Sequence, residues 1–171
     1  MEVADQFGIK TRVLDLTAQK ELAMETLGTV TTLTDAAVSN LAPRLRMLTL
    51  YAVAASENRL VAGTGNASEY YMGYFTKWGD GAYDLNPIAD LTATEIFEFL
   101  RYLKAPQSII TKAPSAGLYE GQTDEEDMGV TYAAIDQYIK TGQANDHDKA
   151  IIDRYHARSE HKRRNPLRYP D

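Results

Sequence analysis

Apolar side chains recur at three- and four-residue steps along much of the chain, as they do on one face of an α-helix. Between residues 35 and 57 the apolar positions Leu41, Leu45, Leu48 and Ala52 keep this spacing, which predicts a helix there. The same spacing, with capping residues or glycines at the ends, predicts further helices over residues 2–8, 18–27, 92–105, 132–140 and 146–160.

Proline and hydroxyl residues indicate where helices begin. Pro43 lacks a backbone N–H and is tolerated in the first turn of a helix. Asn40, three residues earlier, is therefore a candidate N-cap for a helix that carries Arg44 and Arg46. Threonine hydroxyls are predicted to cap three further helices, at Thr17, Thr123 and Thr131.

Two short segments have the pattern of β-strands. Residues 9–16, "IKTRVLDL", alternate and include β-branched side chains, and residues 60–62, "LVA", form an apolar run directly after a helix. A helix followed at once by a strand is typical of parallel α/β folds. Long loops are predicted over residues 63–90 and 113–129. A loop as long as the first is usually functional when it is ordered.

Composition places the chain among ordinary globular proteins. It has 171 residues, 44% hydrophobic and 25% charged, without a repeat or linker, so residues 1–171 are predicted to form a single domain. The absence of cysteine excludes disulfides and thiolate metal sites and fits a cytoplasmic protein. No apolar run approaches the roughly 20 residues that span a membrane, so no membrane partner is expected. The net charge of −6 argues against a nucleic-acid partner.

Charge is unevenly distributed along the sequence. Acidic residues are concentrated at 123–127, "TDEED", and basic residues at 158–168, "RSEHKRRNPLR". Composition alone favours a solvated basic tail over about residues 158–171. The alternative is an arm that folds over a phosphate-bearing ligand.

The glycine-rich segment after residue 62 allows two interpretations. "GTGNAS" partly matches the dinucleotide-binding pattern of dehydrogenases, and Asp84 lies near the place of the ribose-binding acid. However, Ser68 stands where the third glycine belongs, and "EYYMGYFTKWGDG" is a poor crossover helix. A different kind of nucleotide site is therefore favoured.

Five segments closely resemble motifs of the NAD synthetase family, the ammonia-dependent amide-forming enzymes. They occur in the family's order across roughly residues 40–165, which is most of the chain, and each is fairly specific. The segments are "NLAPRLRM" at 40–47, "GTGNASE" at 63–69, "GYFTKWGDGAYDLNPI" at 73–88, "KAPSAGLYEGQTDEEDMG" at 112–129 and "EHKRR" at 160–164.

The resemblance implies a fold and a reaction. The fold is a three-layer, Rossmann-like α/β fold with a parallel sheet, of the adenine-nucleotide α-hydrolase or ATP-pyrophosphatase type, and family members are homodimers. ATP, the co-substrate, adenylates the nicotinate carboxylate of deamido-NAD and releases pyrophosphate, and ammonia then displaces AMP to give NAD⁺. A carboxylate is a poor acyl donor until adenylation supplies a leaving group. Mg²⁺ and cationic side chains neutralise the phosphate charge.

The resemblance also implies roles for individual residues. Glu69 matches the family's Mg²⁺ ligand, and Thr64 and Ser115 match ATP contacts. Lys112 is an additional phosphate neighbour, and no residue is assigned a catalytic role beyond binding. The residues that match deamido-NAD contacts are Arg44, Lys77, Asp84, His161 and Lys162, and the last two favour an ordered basic arm.

Two departures from the family qualify the resemblance. Ala93 stands where members usually carry an ATP-binding lysine, a loss worth about 1–3 kcal/mol for a charged hydrogen bond. The family's Ser-Gly-Gly-x-Asp-Ser pyrophosphate loop has no counterpart, so the chain is interpreted as an N-terminally truncated, C-terminal portion. Residues 9–16 and 60–62 are then expected to present bare strand edges and apolar surface.

The functional hypotheses come from two classes. The first is ATP-dependent amidation of deamido-NAD by ammonia, although this chain by itself, lacking the pyrophosphate loop, is expected to bind deamido-NAD without turning it over. The alternative is a non-catalytic deamido-NAD-binding or dimerisation fragment. Another ATP pyrophosphatase, such as a GMP synthetase, is disfavoured because "GYFTKWGDGAYD" and "EHKRR" are not associated with those enzymes.

Overall fold

The computed structural model describes residues 2–115, 121 and 123–169, so part of the predicted loop over 113–129 lies outside it. Across these residues the regular structure is helical, and no strand is formed. None of the described helices is long and apolar enough to cross a membrane. The helices are α1 (Glu2–Phe7), α2 (Thr17–Gly28), α3 (Asp35–Ser56), α4 (Ala67–Met72), α5 (Ala93–Tyr102), α6 (Gln107–Ile110), α7 (Asp124–Met128), α8 (Tyr132–Thr141), α9 (Asp146–Arg158) and α10 (Glu160–Arg163).

The chain divides into two compact units. The first unit comprises Met1–Thr64 and Phe75–Pro87 and contains α1, α2 and α3. The second unit comprises Gly65–Tyr74 and Ile88–Asp171 and contains α4 to α10. Each predicted site residue therefore belongs to one unit or the other, and the single domain over 1–171 stays a prediction.

Helix α3 is continuous across the predicted helix start at Asn40. Thr34 caps the helix and accepts a hydrogen bond at 3.3 Å from the backbone N–H three residues on. The prediction that Asn40 is an N-cap is wrong, because its amide donates to the carbonyl four residues earlier, at 2.7 Å. The helix continues through Pro43, which is buried. A Cβ on Gly79 would lie 3.0 Å from Pro43 Cβ, so the turn at Gly79 packs closely against Pro43, which leaves one helix hydrogen bond unmade.

The threonine caps give mixed results. The cap predicted at Thr17 is wrong, since both its N–H and its hydroxyl donate to Asp15 Oδ1, at 2.9 and 2.6 Å. Thr123 and Thr131 do cap α7 and α8, each accepting from the backbone N–H three residues on, at 3.3 and 3.2 Å. At Thr17 the carboxylate of Asp15 engages both the hydroxyl and the N–H of the threonine, so the hydroxyl does not cap the helix.

Residues 9–16 do not form the predicted strand. They connect α1 to α2 without regular structure, and Ile9, Val13 and Leu14 are 56%, 76% and 60% exposed. A β-strand needs a neighbour for its backbone groups, and no described segment pairs with these residues. The expected exposure of apolar surface in this segment is confirmed.

Residues 60–62 form one isolated bridge instead of a strand. Ala62 pairs with Leu85 in the parallel direction, and Gly63 N donates to Leu85 O at 2.7 Å. Leu60 is exposed. The pairing agrees with the predicted chain direction, but a single bridge is too short to be a sheet.

A buried hydrophobic cluster forms the core of the second unit. The predicted helices over 92–105, 132–140 and 146–160 are confirmed as α5, α8 and α9 and contribute to it. Helix α4, in the predicted loop over 63–90, also contributes and was not predicted, nor was α6. The cluster consists of Met72, Ala93, Met128, Val130, Tyr132, Ile135 and Ile152.

Candidate functional site

Glu69, the predicted Mg²⁺ ligand, closes a capping box at the start of α4. Its Oε2 accepts a hydrogen bond from Asn66 N at 2.8 Å, and Asn66 Oδ1 accepts one from Glu69 N at 2.9 Å. This reciprocal arrangement satisfies two N–H groups that a helix start leaves unpaired. It also holds the carboxylate in one place at the helix N-terminus.

Ser68, the residue before Glu69, is fully buried and anchored in the core. Its hydroxyl donates to Asp136 Oδ1 at 2.5 Å and accepts from Ala93 N at 3.0 Å. The other Asp136 oxygen accepts from Thr94 N at 2.8 Å. Asp136, on α8, thereby joins the first turns of α4 and α5. A buried carboxylate is retained where donors satisfy it in this way.

The C-terminal end of α4 is held by α9 and α10. Lys162 Nζ donates to Gly73 O at 2.7 Å, and Ser159 Oγ donates to Met72 O at 3.2 Å. Arg163 Nη1 donates to the carbonyl two residues before Gly73, also at 3.2 Å. These carbonyls lack partners within the helix and attract cations. Lys162, predicted to contact deamido-NAD, therefore also caps the helix that carries Glu69.

Two tyrosines hold the acidic helix α7. Tyr132 Oη donates to Asp124 Oδ2 and Tyr74 Oη donates to Asp127 Oδ2, both at 3.0 Å. Burial, followed by the charge of Asp124, raises the pKa of Tyr132, and burial followed by the hydrogen bond to Asp127 raises that of Tyr74. Both hydroxyls therefore stay protonated and act as donors. These contacts fix α7 within the second unit.

In the first unit, Lys77 lies in a turn that is fixed against α3. Thr76 Oγ1 donates to Asn40 Oδ1 at 2.6 Å, and Asp80 Oδ1 accepts from Thr76 N at 2.9 Å. Arg44 Nη2 approaches Lys77 O at 3.5 Å, the long end of the hydrogen-bonding range. Two cationic residues that were predicted to contact deamido-NAD are thus brought together.

Asp84 is fixed at the β-bridge of the same unit. Its Oδ2 accepts from Val61 N at 2.7 Å, and its Oδ1 accepts from Tyr51 Oη at 3.3 Å. Burial and then the charge of Asp84 raise the pKa of Tyr51, so the phenol remains a donor. The exposed carboxylate therefore has a defined position.

The remaining predicted residues have fewer described contacts. Thr64 and Ser115 are exposed, and His161 Nδ1 lies 3.2 Å from Arg158 O. Their predicted ligand contacts stay predictions. The predicted residues of the first unit are Arg44, Thr64, Lys77 and Asp84, and those of the second are Glu69, Ser115, His161 and Lys162.

Ala93, at the position where the family usually carries lysine, is buried in the core cluster. It is the first residue of α5, and its N–H donates to Ser68 Oγ. A lysine here would have to extend its charged end past the cluster to solvent. The local backbone is thus fixed without a cation at this position.

The sequence did not single out Asn66, Asp136 or Arg163 as supports of the site. Asn66 had a local signal, because Asn-x-x-Glu followed directly by Tyr-Tyr-Met-Gly resembles a short helix with a cap at each end. Asp136 had none, since its partners come from residues 68 and 94. Arg163 was part of the "EHKRR" motif, but its carbonyl partners become adjacent only in the fold.

Glu69 can be tested as a metal ligand by the chemistry of its surroundings. Among the described residues, no group of three or more histidine, aspartate or glutamate side chains is arranged to hold a metal ion. Mg²⁺, however, is commonly bound by one or two carboxylates and completes its coordination with water and substrate phosphates. A single fixed carboxylate therefore fits Mg²⁺ that enters with a nucleotide.

Comparison with known proteins identifies the family to which the chain belongs. The chain matches the NAD synthase family model over residues 1–166 and belongs to that family. The resemblance based on the five motifs is thereby confirmed.

Individual relatives agree with this assignment. The chain is 58% identical over 130 residues to the NH(3)-dependent NAD(+) synthetase of Carboxydothermus hydrogenoformans, covering 76% of this chain and 54% of that protein. It is 43% identical over 170 residues to the NH(3)-dependent NAD(+) synthetase of Archaeoglobus fulgidus, covering 97% of this chain and 68% of that protein. The solved NMN synthetase from Francisella tularensis matches with a TM-score of 0.93 and 41% identity, covering 97% of this chain and 69% of that one. The chain thus has the NAD synthetase fold, and it spans about half the length of several curated relatives it matches.

Proposed function

We propose that this chain binds deamido-NAD and Mg²⁺ for the ATP-dependent amidation that makes NAD⁺ from ammonia. The observation that carries the proposal is the contact between Arg44 and the turn of Lys77 in the first unit. Arg44 and Lys77 each carry a cationic group that can donate charged hydrogen bonds to the phosphate oxygens of a dinucleotide, and the Arg44 guanidinium lies 3.5 Å from the Lys77 backbone carbonyl. The family assignment supplies the reaction class.

The reaction has two balanced steps. A carboxylate oxygen of the nicotinate group attacks the α-phosphorus of ATP, and pyrophosphate leaves. The nitrogen of ammonia then attacks the acyl carbon, the bond to AMP breaks, and the amide forms with release of a proton. Bound Mg²⁺ neutralises phosphate charge during the first step.

The residues proposed to bind ligands belong to both units, and each residue is assigned its own contact. Glu69 holds Mg²⁺ from the first turn of α4, whose two ends are fixed by Asp136 and Arg163. Asp84 accepts hydrogen bonds from ribose hydroxyls. Lys162, whose Nζ donates to Gly73 O, is proposed to contact deamido-NAD. The further proposed contacts are Arg44, Lys77 and His161 to deamido-NAD and Thr64 and Ser115 to ATP.

A mononucleotide is the second candidate substrate. The solved structure with a TM-score of 0.93 over 97% of this chain is named an NMN synthetase. Nicotinate mononucleotide has the same reacting carboxylate and one phosphate, and it lacks the adenylate half of deamido-NAD. The two substrates are distinguished by whether removal of that half weakens binding.

We also propose a homodimer and a completed α/β sheet of the ATP-pyrophosphatase type. Apolar Leu22 on α2 and Leu48 on α3 are exposed, and burial of such side chains in a dimer would remove them from water. Sedimentation equilibrium should give twice the mass of the chain. A monomer across the concentration range would contradict this part of the proposal.

The reaction is tested with the purified 171-residue chain, ATP, Mg²⁺ and isotopically labelled ammonium. Deamido-NAD and nicotinate mononucleotide are supplied in separate experiments, and binding and labelled amide are measured on the same samples. Mn²⁺ binding, followed by electron paramagnetic resonance, gives a metal readout that does not depend on turnover. Glu69→Gln keeps the size of the side chain and should weaken Mn²⁺ binding, and Glu21→Gln on α2 is the matched control.

The outcomes separate the alternatives. One labelled amide for each AMP means that the chain performs the whole reaction. Binding of deamido-NAD without amide identifies the non-catalytic alternative. Absence of both binding and amide would contradict the proposed function.

A further inference from the structure

We propose that Trp78 recognises the pyridinium ring of the nicotinate nucleotide by stacking on it, and so selects the end of the substrate that reacts. The inference rests on the proposed function and adds a residue that lies within the motif at 73–88 but was assigned no role there. It depends on the backbone of Trp78, the turn that fixes it and the environment of its ring.

Trp78 has a backbone conformation that tryptophan rarely adopts. Its φ is +61°, in the left-handed region that favours glycine, asparagine and aspartate. Such strain in a bulky residue persists only when the surrounding structure fixes it, and it is common at ligand sites. A glycine could adopt this φ angle without strain, but the glycine of this turn is at position 79 and not at position 78.

The surrounding turn supplies that fixation. Gly79 N and Gly81 N both donate to Thr76 O, at 2.9 and 3.2 Å. A Cβ on Gly79 would lie 3.0 Å from Pro43 Cβ, so the backbone after Trp78 packs closely on α3. The backbone position of Trp78 is therefore set by the turn.

The ring itself is available to a ligand and faces a cation. Trp78 is 54% exposed, and Lys77 Nζ lies 5.4 Å from its ring centroid. An exposed tryptophan contributes little to a core, whereas its electron-rich face is the strongest aromatic partner for cations. Arg44 contacts the same turn through Lys77 O.

The charge of the substrate ring decides which end fits. The N-glycosylated pyridine of a nicotinate nucleotide carries a formal positive charge, whereas adenine is neutral at pH 7. The pyridinium can take the place of the Lys77 ammonium over the indole. Lys77 is then available to the neighbouring phosphate, to which a single positive charge is well suited. Trp78 would thus contact the pyridinium ring, and Lys77 would contact the phosphate of the same nucleotide.

Trp78 is the only tryptophan of the chain, so indole fluorescence reports on this residue alone. We would titrate the full chain with nicotinate mononucleotide, AMP and ribose 5-phosphate while recording its fluorescence. Binding of each ligand would be measured separately by calorimetry. Nicotinate mononucleotide should quench the fluorescence saturably, because a pyridinium stacked on indole accepts charge from its excited state. Ribose 5-phosphate should give no quenching.

Substitutions test whether the ring contributes affinity. Trp78→Leu should weaken the binding of nicotinate mononucleotide about tenfold. The affinity of Trp78→Phe should lie between those of Trp78→Leu and the parent protein. Tyr102→Leu, on the outer surface of α5, is the matched control for loss of an exposed aromatic ring and should leave affinity unchanged. Circular dichroism and thermal unfolding establish that each variant is folded. Trp78→Gly, which relieves the positive φ, supplies a folded ring-free variant if Trp78→Leu is unstable.

The contrary outcomes are distinct. Quenching by AMP as strong as by nicotinate mononucleotide would overturn the assignment to pyridinium. Calorimetric binding of nicotinate mononucleotide without quenching, or with unchanged affinity in Trp78→Leu, would overturn the role of Trp78 and leave the proposed function intact. Absence of calorimetric binding to any nucleotide would overturn the proposed function as well.

Discussion

The Ser68 hydroxyl and the Asp136 carboxylate share a buried hydrogen bond of 2.5 Å that joins α4 to α8. Residue 69, the proposed Mg²⁺ ligand, is the next residue after Ser68. The position of the ligand therefore depends on Asp136, which is distant in the sequence, as much as on the local capping box.

Removing this hydrogen bond should destabilise the second unit. Ser68→Ala leaves one Asp136 oxygen and Ala93 N without their buried partner, so we expect the free energy of unfolding to fall by about 1–3 kcal/mol. Ser56→Ala removes an exposed hydroxyl that donates a hydrogen bond to Ala52 O within the same helix. This substitution should change the free energy of unfolding by less than about 0.5 kcal/mol. Urea unfolding measures both. Equal effects of the two substitutions would contradict the anchoring role of Ser68.

Among the described glycines with a positive φ, Gly73 is predicted to lose the most stability when it is replaced by alanine. A Cβ at Gly73 would lie 2.0 Å from Ser159 Cβ, whereas a Cβ at Gly142 meets nothing within 4 Å, and the φ angles are similar at +66° and +72°. Gly142→Ala should cost about 1 kcal/mol from backbone strain alone. Gly73→Ala should cost about 1–3 kcal/mol more, because the end of α4 must separate from Ser159.

Thermal unfolding of the two glycine variants checks this difference. Ser159→Gly removes the clashing Cβ along with the Ser159 hydroxyl, and in that background Gly73→Ala should cost less than it does in the parent. Equal destabilisation at Gly73 and Gly142 would mean that the close approach of Ser159 is not maintained in solution.

Glu95 should make stability depend on acidic pH. Its hydrogen bond with Lys140, followed by those from Thr92, lowers the pKa of Glu95 to about 2, from about 4.3 in an unfolded chain. A carboxylate with a lowered pKa in the folded state stabilises above the unfolded pKa and loses that contribution as pH falls. The urea midpoint should therefore drop between about pH 4.5 and pH 2, and less steeply in Glu95→Gln. Carboxyl NMR titration reads the pKa directly, and a value near 4.3 would contradict this account.

The helices that sequence predicts well are those whose signals are local. The apolar spacing of α5 and α8, and the threonine caps of α7 and α8, lie within a few residues of one another and appear in the structure. Short helices such as α4 have too few residues for a periodic pattern. In α4 the capping box and Gly73 were the available signals, and the glycine-rich context obscured them.

The strands were mispredicted because strand formation depends on a partner. Residues 9–16 have β-branched, alternating side chains, yet no described segment offers them a ladder. The motif residues of the site were predicted by resemblance, whereas Asp136 and Trp78 were not. Their significance depends on contacts across the fold and on a backbone angle, and neither leaves a pattern in nearby sequence.

The central claim is that this chain binds deamido-NAD through the turn of Lys77, and calorimetric titration of the full chain tests it most directly. We expect saturable binding, weakened by about tenfold or more in Lys77→Ala through loss of a charge-assisted hydrogen bond. Lys20→Ala, which removes a lysine from α2, should leave affinity unchanged. No binding by the folded chain, or equal affinity in the parent and Lys77→Ala, would contradict the account.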